Sequence, residues 1–189
     1  MSTRLVAGLG NPGKAYAGTR HNAGFLVVEE LARRSGTGWQ KESARHAEVA
    51  RQPWGWLAKP TTFMNDSGRA IQSLAAYYRI QPAEILAVFD DFALPLGQVR
   101  LRKSGSSGGH NGLKSLCLHL GTSEIPRLRI GIGSPNRPTH DYVLDTFAPE
   151  ELPVLERAVI RAADCVEAIL TTGLEPAMNQ FNSNLQPEP

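Results

Sequence analysis

Cysteine is scarce in this chain of 189 residues, which contains only Cys117 and Cys165. Two cysteines cannot build a disulfide framework, and no Cys-x-x-Cys or His-x-x-x-His pair offers the ligands of a metal site. Both cysteines lie on the apolar faces of predicted helices, so we expect buried free thiols in a reducing compartment. We therefore expect neither a bound metal ion nor another cofactor.

Long apolar runs are also missing. No window approaches the roughly 20 apolar residues that span a bilayer, and the first residues, Met-Ser-Thr-Arg-Leu-Val, lack the apolar core of a signal peptide. Charge of one sign is not in large excess: the net charge of +2 is compatible with an anionic partner but is no evidence for one. These absences predict a cytoplasmic protein without a membrane partner.

Apolar runs and amphipathic segments alternate along the chain. The spacing predicts strands over residues 4–9, 46–51, 56–59, 84–90, 98–103 and 127–132, the second and third forming a hairpin. It predicts helices over residues 23–34, about 68–78, 113–120, 150–171 and 175–181. This alternation indicates an α/β fold: a single three-layer domain over residues 1–189, with a twisted, mixed and mostly parallel sheet flanked by helices. The tail from about residue 183 is expected to be disordered.

The segment Gly8-Leu-Gly-Asn-Pro-Gly13 matches the Gly-x-Gly-x-x-Gly pattern of dinucleotide-binding proteins directly after a predicted strand. In those proteins a helix begins at once, so that its N-terminus meets the pyrophosphate. Here the helix begins about ten residues later, and Glu29 and Glu30 lie inside it instead of at the end of a second strand. A turn that needs a positive φ explains the glycines better, and we expect no nicotinamide or flavin.

Polar side chains that suit acid–base chemistry collect in four loops, each of which follows a strand or opens a helix. The loops hold Asn11 with His21, Asn65 after Phe63, Asp90, and Asn111 after His110. A carboxylate bonded to one imidazole nitrogen stabilises the imidazolium, so the other nitrogen can take a proton from water. Neutral amides can orient a substrate and donate to an oxyanion without competing for that proton.

These residues alone leave two questions open. They do not decide whether His21 or His110 is the base, and each asparagine could instead serve a turn or a helix cap. No serine or cysteine lies in a nucleophile elbow, so the sequence indicates direct attack by water and not a covalent intermediate.

Five longer motifs follow one another along the chain. They read Gly-Leu-Gly-Asn-Pro-Gly from Gly8, Thr-Arg-His-Asn-Ala-Gly from Thr19, Lys-Pro-Thr-Thr-Phe-Met-Asn-x-Ser-Gly from Lys59, Gly-Gly-His-Asn-Gly-Leu-Lys from Gly108, and Arg-Leu-Arg-Ile-Gly-Ile-Gly from Arg127. Together they resemble the motifs of bacterial peptidyl-tRNA hydrolases, over nearly the whole chain. The resemblance implies a monomeric, metal-free α/β enzyme that hydrolyses the ester between a peptide and the 3′-terminal ribose of tRNA. Its partner would be peptidyl-tRNA, through the acceptor stem and CCA end, and it would recycle tRNA from peptides released too early.

The resemblance also implies roles by position. His21 matches the family's general base, and Asp90 matches the carboxylate that holds it. Asn11 matches the asparagine tied to a preference for a blocked, peptide-like amino group. The residues that match contacts to the acceptor end or to the peptide are Tyr16, Phe63, Asn65 and Asn111.

The chain departs from the family at the end of the predicted strand 84–90. Many relatives have a further aspartate just before the Leu-Pro turn, where this chain has Ala93. Because Asp91 is the neighbouring acid, the sequence leaves open whether Asp90 or Asp91 faces His21, and we favour Asp90 because it is nearer the apolar strand.

Basic residues also differ from those of the family. Two lysines common in its tRNA-contacting strand correspond to Arg100 and Arg102, which lie on one face of the strand. The phosphate contacts expected on this surface are Arg100, Arg102, Lys103, Lys114 and Arg129. A solvated strand face is the alternative for each arginine, and a non-catalytic RNA-binding protein on the same scaffold is the alternative function. A protein that only binds RNA would need no base.

Overall fold

The computed structural model describes residues 2–135 and 138–183 of the chain. Its strands are β1 (Leu5–Gly8), β2 (Gln40–Glu42), β3 (Ala47–Gln52), β4 (Gly55–Pro60), β5 (Ile85–Asp91), β6 (Val99–Arg102) and β7 (Arg127–Gly131). Its α-helices are α1 (Ala23–Ser35), α2 (Ser67–Tyr78), α3 (Asn111–Leu120), α4 (Thr139–Leu144), α5 (Leu152–Thr172) and α6 (Leu174–Ser183).

The strands form one sheet in the order β2-β3-β4-β1-β5-β7-β6. The central strands β4, β1, β5 and β7 run parallel, and the outer pairs β2–β3, β3–β4 and β6–β7 are antiparallel. The predicted hairpin is the β3–β4 pair. Because β1 and β5 are parallel neighbours, the loops that follow them leave the sheet at the same edge.

Helices cover both faces of the sheet. Alternate residues of a strand point to opposite faces; Val6 of β1 belongs to the apolar core beneath α1, α5 and α6, whereas Leu5 and Ala7 belong to the core beneath α2 and α3. Each large side chain buried in these cores contributes roughly 1.5–3 kcal/mol relative to exposure. The two cores confirm the predicted three-layer α/β class with a mixed sheet.

Two glycines let α1 lie directly on the sheet. A Cβ on Gly24 would lie 2.2 Å from the carbonyl oxygen of Val88, and a Cβ on Gly8 would lie 2.4 Å from the carbonyl oxygen of Gly24. Gly13, in contrast, has open space around it and a φ of 97°. The Gly-x-Gly-x-x-Gly match is therefore a packing and turn feature, and α1 begins only at Ala23.

The structure differs from the sequence prediction at a few elements. Strand β2 and helix α4 were not predicted, because three and six residues are too few to show a periodic pattern. Helix α3 begins at Asn111, two residues before the predicted start, because His110 caps it. The tail predicted to be disordered lies outside the described residues except for Ser183, which ends α6.

Both cysteines are free thiols, as expected. Cys165 is buried in α5, where burial raises the pKa of its thiol to about 12. Cys117 is only half-buried on α3, so the expectation of burial holds fully for Cys165 alone. In the part of the chain that the structure describes, no helix has the length and apolar character needed to cross a membrane.

Candidate active site

His21 lies at the sheet edge where β1 and β5 end, in a single 3-10 turn (Arg20–Asn22) that precedes α1. Its Nδ1 atom is 2.9 and 3.0 Å from the two carboxylate oxygens of Asp90, near the end of β5. The parallel pairing of β1 and β5 brings together these two residues, which are 69 positions apart in the sequence. The fold thus joins the imidazole and the carboxylate that the sequence predicted as partners.

His110 contacts the same carboxylate. Its Nε2 atom is 3.0 Å from Oδ1 of Asp90, and its Nδ1 atom accepts a hydrogen bond of 3.2 Å from the backbone N–H of Leu113. A nitrogen that accepts a backbone N–H carries no proton, so Nε2 of a neutral His110 carries it and donates to Asp90. The two imidazole rings meet edge to face, with centroids 5.0 Å apart.

Asp90 is enclosed, with 2 % of its surface exposed. Burial alone would raise the pKa of this carboxyl group, but the facing histidines outweigh burial and hold the pKa well below the usual range of aspartate. Asp90 is therefore a carboxylate at neutral pH. Nδ1 of His21 must carry the proton that it donates to Asp90, which leaves the lone pair of the neutral ring on Nε2.

Asp91 does not face His21. Consecutive strand residues point to opposite sides, and the carboxylate of Asp91 forms an ion pair with Arg129 on β7. It also accepts a hydrogen bond of 2.8 Å from the backbone N–H of Ala93. The choice that the sequence left open is therefore answered in favour of Asp90.

Asn11 is held rigidly in the loop after β1. Its backbone N–H donates to Oδ1 of Asn22 at 2.8 Å, and Nδ2 of Asn22 donates to the backbone oxygen of Asn11 at 2.9 Å. Oδ1 of Asn11 accepts a bond of 2.7 Å from the backbone N–H of Met64. With Oδ1 occupied, the NH₂ group is the part of this amide that can meet a ligand.

These side chains line one open cavity of about 440 Å³. Part of its wall is aromatic, because the rings of Tyr16 and Phe63 meet edge to face with centroids 6.2 Å apart. Phe63 is 59 % exposed, which leaves a large apolar surface for a ligand. The predicted catalytic and substrate-binding residues that the structure brings to this cavity are His21, Asp90, Asn11, Tyr16, Phe63, Asn65 and Asn111.

Other parts of the cavity wall were not predicted. Lining residues that the sequence reasoning missed as site residues are Met64, Phe92, Gly109, Thr139, His140, Val143 and Leu144. Four of them belong to α4, which was itself not predicted. The apolar run Tyr142-Val-Leu after Pro138 is the signal that could have indicated a packed element there.

Two of the predicted phosphate contacts line a second, smaller cavity. Arg102 and Arg129 surround about 230 Å³ together with residues 104–108 of the glycine-rich loop. Beneath them, buried Arg127 donates from Nη1 to the carbonyl oxygens of Gly105 and Ser106, at 2.8 and 2.9 Å. These bonds fix the loop that closes the cavity.

The other three predicted phosphate contacts are distributed more widely. Arg100 is half-buried on β6, directly opposite Arg129 on β7, and Lys114 is exposed on α3. Lys103 instead lines a different cavity, where its Nζ lies 4.0 Å from Glu175. Lys103 therefore lines neither of the two cavities described above.

Among the described residues, His21, Asp90 and His110 form a group whose potential metal-ligating atoms lie within 4.8 Å of one another. Their hydrogen bonds do not suit a cation. A metal ion on Nε2 of neutral His110 would place the proton on Nδ1, yet that atom accepts the Leu113 N–H at 3.2 Å. The three side chains fit a carboxylate that accepts two imidazole protons better than they fit a metal ion.

A histidine held at Nδ1 by a buried carboxylate, whose ring lines an open cavity together with amide side chains, defines a hydrolase that activates water. The arrangement lies outside the carboxyl ends of parallel strands, where open α/β sheets bind their ligands.

Comparisons with the sequences and structures of known proteins show the family of this hydrolase. The family model described as peptidyl-tRNA hydrolase matches residues 5–188. The peptidyl-tRNA hydrolase of Gloeobacter violaceus is 48% identical over 189 residues, which cover 97% of this chain and 96% of the relative. That of Chloroflexus aggregans is 48% identical over 185 residues, which cover 94% and 98%. The crystal structure of peptidyl-tRNA hydrolase from Acinetobacter baumannii has a TM-score of 0.91 at 35% identity, covering 96% of this chain and 95% of that one. The chain belongs to the peptidyl-tRNA hydrolase family.

Proposed function

We propose that this protein hydrolyses peptidyl-tRNA at the ester between the peptide and the 3′-terminal ribose, and so frees tRNA from peptides released too early. His21 is the general base, and Asp90 holds it. The observation that carries this assignment is the contact of His21 Nδ1 with both carboxylate oxygens of Asp90, at 2.9 and 3.0 Å. Because Nδ1 faces the carboxylate, the unprotonated Nε2 is the ring nitrogen that can meet the substrate.

The reaction follows from that tautomer. Nε2 of His21 takes a proton from water as the water oxygen bonds to the ester carbonyl carbon. The buried carboxylate of Asp90 stabilises the imidazolium that forms, and His110 keeps this carboxylate in place. The tetrahedral intermediate then breaks its bond to the ribose oxygen, and the proton on Nε2 passes to that oxygen. The products are the free peptide and tRNA with a free 3′-hydroxyl, and no bond to the protein forms.

This machinery is sufficient for the bond to be broken. An ester is more labile than an amide, and the neighbouring ribose hydroxyl makes the departing oxygen a better leaving group. A positioned base contributes roughly 10²–10⁴ in rate and one oxyanion donor roughly 10²–10³. The asparagine amides at the cavity are the candidates for that donor.

Asn11, Asn65 and Asn111 bind the peptide end of the substrate. The NH₂ group of Asn11 is free to donate, because its Oδ1 accepts the Met64 N–H at 2.7 Å. A blocked amino group brings a carbonyl oxygen for such a donor, whereas a free amino group brings a positive charge and no acceptor. Tyr16 and Phe63 offer apolar faces on which the terminal adenine or a peptide side chain packs.

The acceptor stem of tRNA lies against the basic residues beyond the cavity. Arg102 and Arg129 at the second cavity hold phosphates, with Arg100 and Lys114 extending the surface. Such contacts position the tRNA and do not read its sequence. Lys103, which lines a different cavity with Glu175, is left out of this surface.

The proposal also includes three expectations from the sequence analysis: the chain forms one domain over residues 1–189, it acts as a monomer, and it is located in the cytoplasm. None of them changes the chemistry at His21.

The test is a deacylation assay that compares N-acetylaminoacyl-tRNA with the same aminoacyl-tRNA left unblocked. We expect hydrolysis of the blocked substrate, and hydrolysis of the unblocked one at least about tenfold slower. A non-catalytic RNA-binding protein would bind both without releasing either acyl group. Release of the acetylated amino acid no faster than in buffer would overturn the proposal.

A further inference from the structure

Arg20 is a buried cation next to His21 that the reaction itself does not use. Only 7 % of its surface is exposed. Its Nη2 donates to Oε2 of Glu151 at 2.8 Å, and its Nη1 donates to the backbone oxygen of Thr146 at 3.0 Å. The guanidinium carbon also lies 4.6 Å from the ring centroid of Tyr142 and 4.8 Å from that of Phe147. All four partners belong to one segment, residues 142–151.

That segment carries a wall of the substrate cavity. Helix α4 contributes Thr139, His140, Val143 and Leu144 to the lining, and the chain runs from it directly to Glu151. The main chain of the His21 turn contacts the same segment, because the backbone N–H of Arg20 donates to the backbone oxygen of Asp145 at 2.9 Å. Arg20 thus joins the wall that holds the base to the wall that α4 forms.

Helix α4 depends on such contacts for its position. It has six residues, and a helix this short is not stable without tertiary support. Within it, Tyr142 donates from its hydroxyl to the backbone oxygen of Ile132 at 2.6 Å, and the face of its ring supports the Arg20 guanidinium. Glu151 is fixed as well, since the Oε2 that pairs with Arg20 also accepts the backbone N–H of Ala148 at 2.7 Å.

We infer that Arg20 is a positioning residue: its ion pair with Glu151 and its stacking on Tyr142 set the distance between the His21 turn and α4, and thereby the width of the cavity. This inference rests on the proposed function for its effect on the substrate. The peptide end or the terminal nucleoside of the substrate binds between these two walls. The Arg20–Glu151 ion pair fixes the width of the space between them.

The inference separates binding from chemistry. His21 lies in the turn that Arg20 begins, but its contact with Asp90 on β5, and the contact of His110 at the start of α3, involve no atom of Glu151. Loss of the pair therefore loosens α4 and weakens binding, whereas a substrate that is bound still meets an intact base. The expected signature is a raised KM with a nearly unchanged kcat.

The test uses Glu151→Gln, Glu151→Leu and Arg20→Lys, with Glu30→Gln as the matched control for an Arg–Glu pair outside the cavity. Glu30 accepts hydrogen bonds from Arg33 at 2.7 Å and from Arg34 at 2.8 Å on α1, and it does not line the substrate cavity. With N-acetylaminoacyl-tRNA we expect KM to rise roughly tenfold in Glu151→Leu while kcat stays within about twofold, and Glu151→Gln to be milder because it retains an acceptor. The control should match the original protein.

Amide hydrogen exchange gives a second readout that needs no activity. We expect faster exchange over residues 139–144 in the Glu151 variants, with α5 unchanged beyond its first turn. This readout distinguishes failure of the inference from failure of the proposed function, because it is recorded on the free protein. Unchanged exchange over α4, or a fall in kcat larger than the rise in KM, would overturn the inference. If Arg20→Lys does not fold, the Glu151 variants decide.

Discussion

The backbone N–H of Leu113 donates to Nδ1 of His110 over 3.2 Å, so the cap of helix α3 determines which nitrogen of that ring faces Asp90. The proton of the neutral ring is placed on Nε2, where it bonds to Asp90 at 3.0 Å. A local feature of helix capping therefore supplies the second donor to the carboxylate that holds His21.

Replacement of His110 should slow the reaction without abolishing it. His110→Ala removes one of the two imidazole donors from Asp90, and a hydrogen bond to a charged group is worth about 1.5–3 kcal/mol. We expect kcat to fall roughly ten- to hundredfold, less than on loss of His21. Steady-state kinetics with N-acetylaminoacyl-tRNA would show this. His119→Gln, at a histidine further along α3, is the control and should keep its kcat; equal losses in the two variants would contradict the role of His110.

The neighbouring aspartates should behave differently. Asp90→Asn takes the negative charge away from His21 and allows the wrong tautomer, so we expect kcat to fall at least about hundredfold. Asp91→Asn alters the ion pair with Arg129 and the hydrogen bond from Ala93, neither of which involves His21, and should change kcat less than about threefold. Parallel kinetics on the two variants measure this. A larger loss for Asp91→Asn would mean that the wrong carboxylate has been assigned.

Asp90 should also make the stability of the fold depend on pH. Its pKa is lowered in the folded state, so below the usual aspartate value of about 4 the unfolded chain binds more protons than the folded one. The contribution of the carboxylate is therefore complete above about pH 5 and is lost as the pH falls toward the folded pKa. Urea unfolding at several pH values measures it. The original protein should lose its advantage in unfolding free energy over Asp90→Asn as the solution becomes acidic, whereas a difference that stays constant would contradict the lowered pKa.

The basic surface should be visible in the salt dependence of tRNA binding. Each phosphate contact contributes about 0.7–0.9 to the slope of log K against log salt concentration. We expect Arg102→Ala to weaken binding and to reduce this slope by about one contact, with Arg100→Ala acting in the same direction. Lys103→Ala is the matched control, because that side chain lines another cavity. If Lys103→Ala changes the slope and Arg102→Ala does not, the proposed surface is in the wrong place.

The sequence predicts best those elements that have a long repeated pattern. Helix α5, predicted over 150–171, spans Leu152–Thr172, and β5 spans Ile85–Asp91 against a predicted 84–90. The late start of α1, at Ala23, was also visible in the sequence. Helix α4 could not be predicted as a helix. It has only six residues, and contacts with Arg20 and Ile132, elsewhere in the chain, stabilise it.

The pairing of His21 with Asp90 was predicted through the family resemblance, whereas the residues alone gave a set and not an arrangement. The residues alone did not choose between His21 and His110, and the structure shows why: both rings donate to one carboxylate. Asp90 and Asp91 are adjacent in the sequence, and only the pleat of β5 and the position of Arg129 separate them. Arg20 and Glu151 are 131 positions apart, and no local sequence pattern in either segment indicates their contact.

The most direct test of the account is single-turnover hydrolysis of N-acetylaminoacyl-tRNA by His21→Ala, with the dissociation constant for tRNA measured on the same preparation. The account predicts a rate at least about a hundredfold below that of the original protein, with a dissociation constant within about twofold of it. A His21→Ala protein that hydrolyses the ester at nearly the original rate would contradict it.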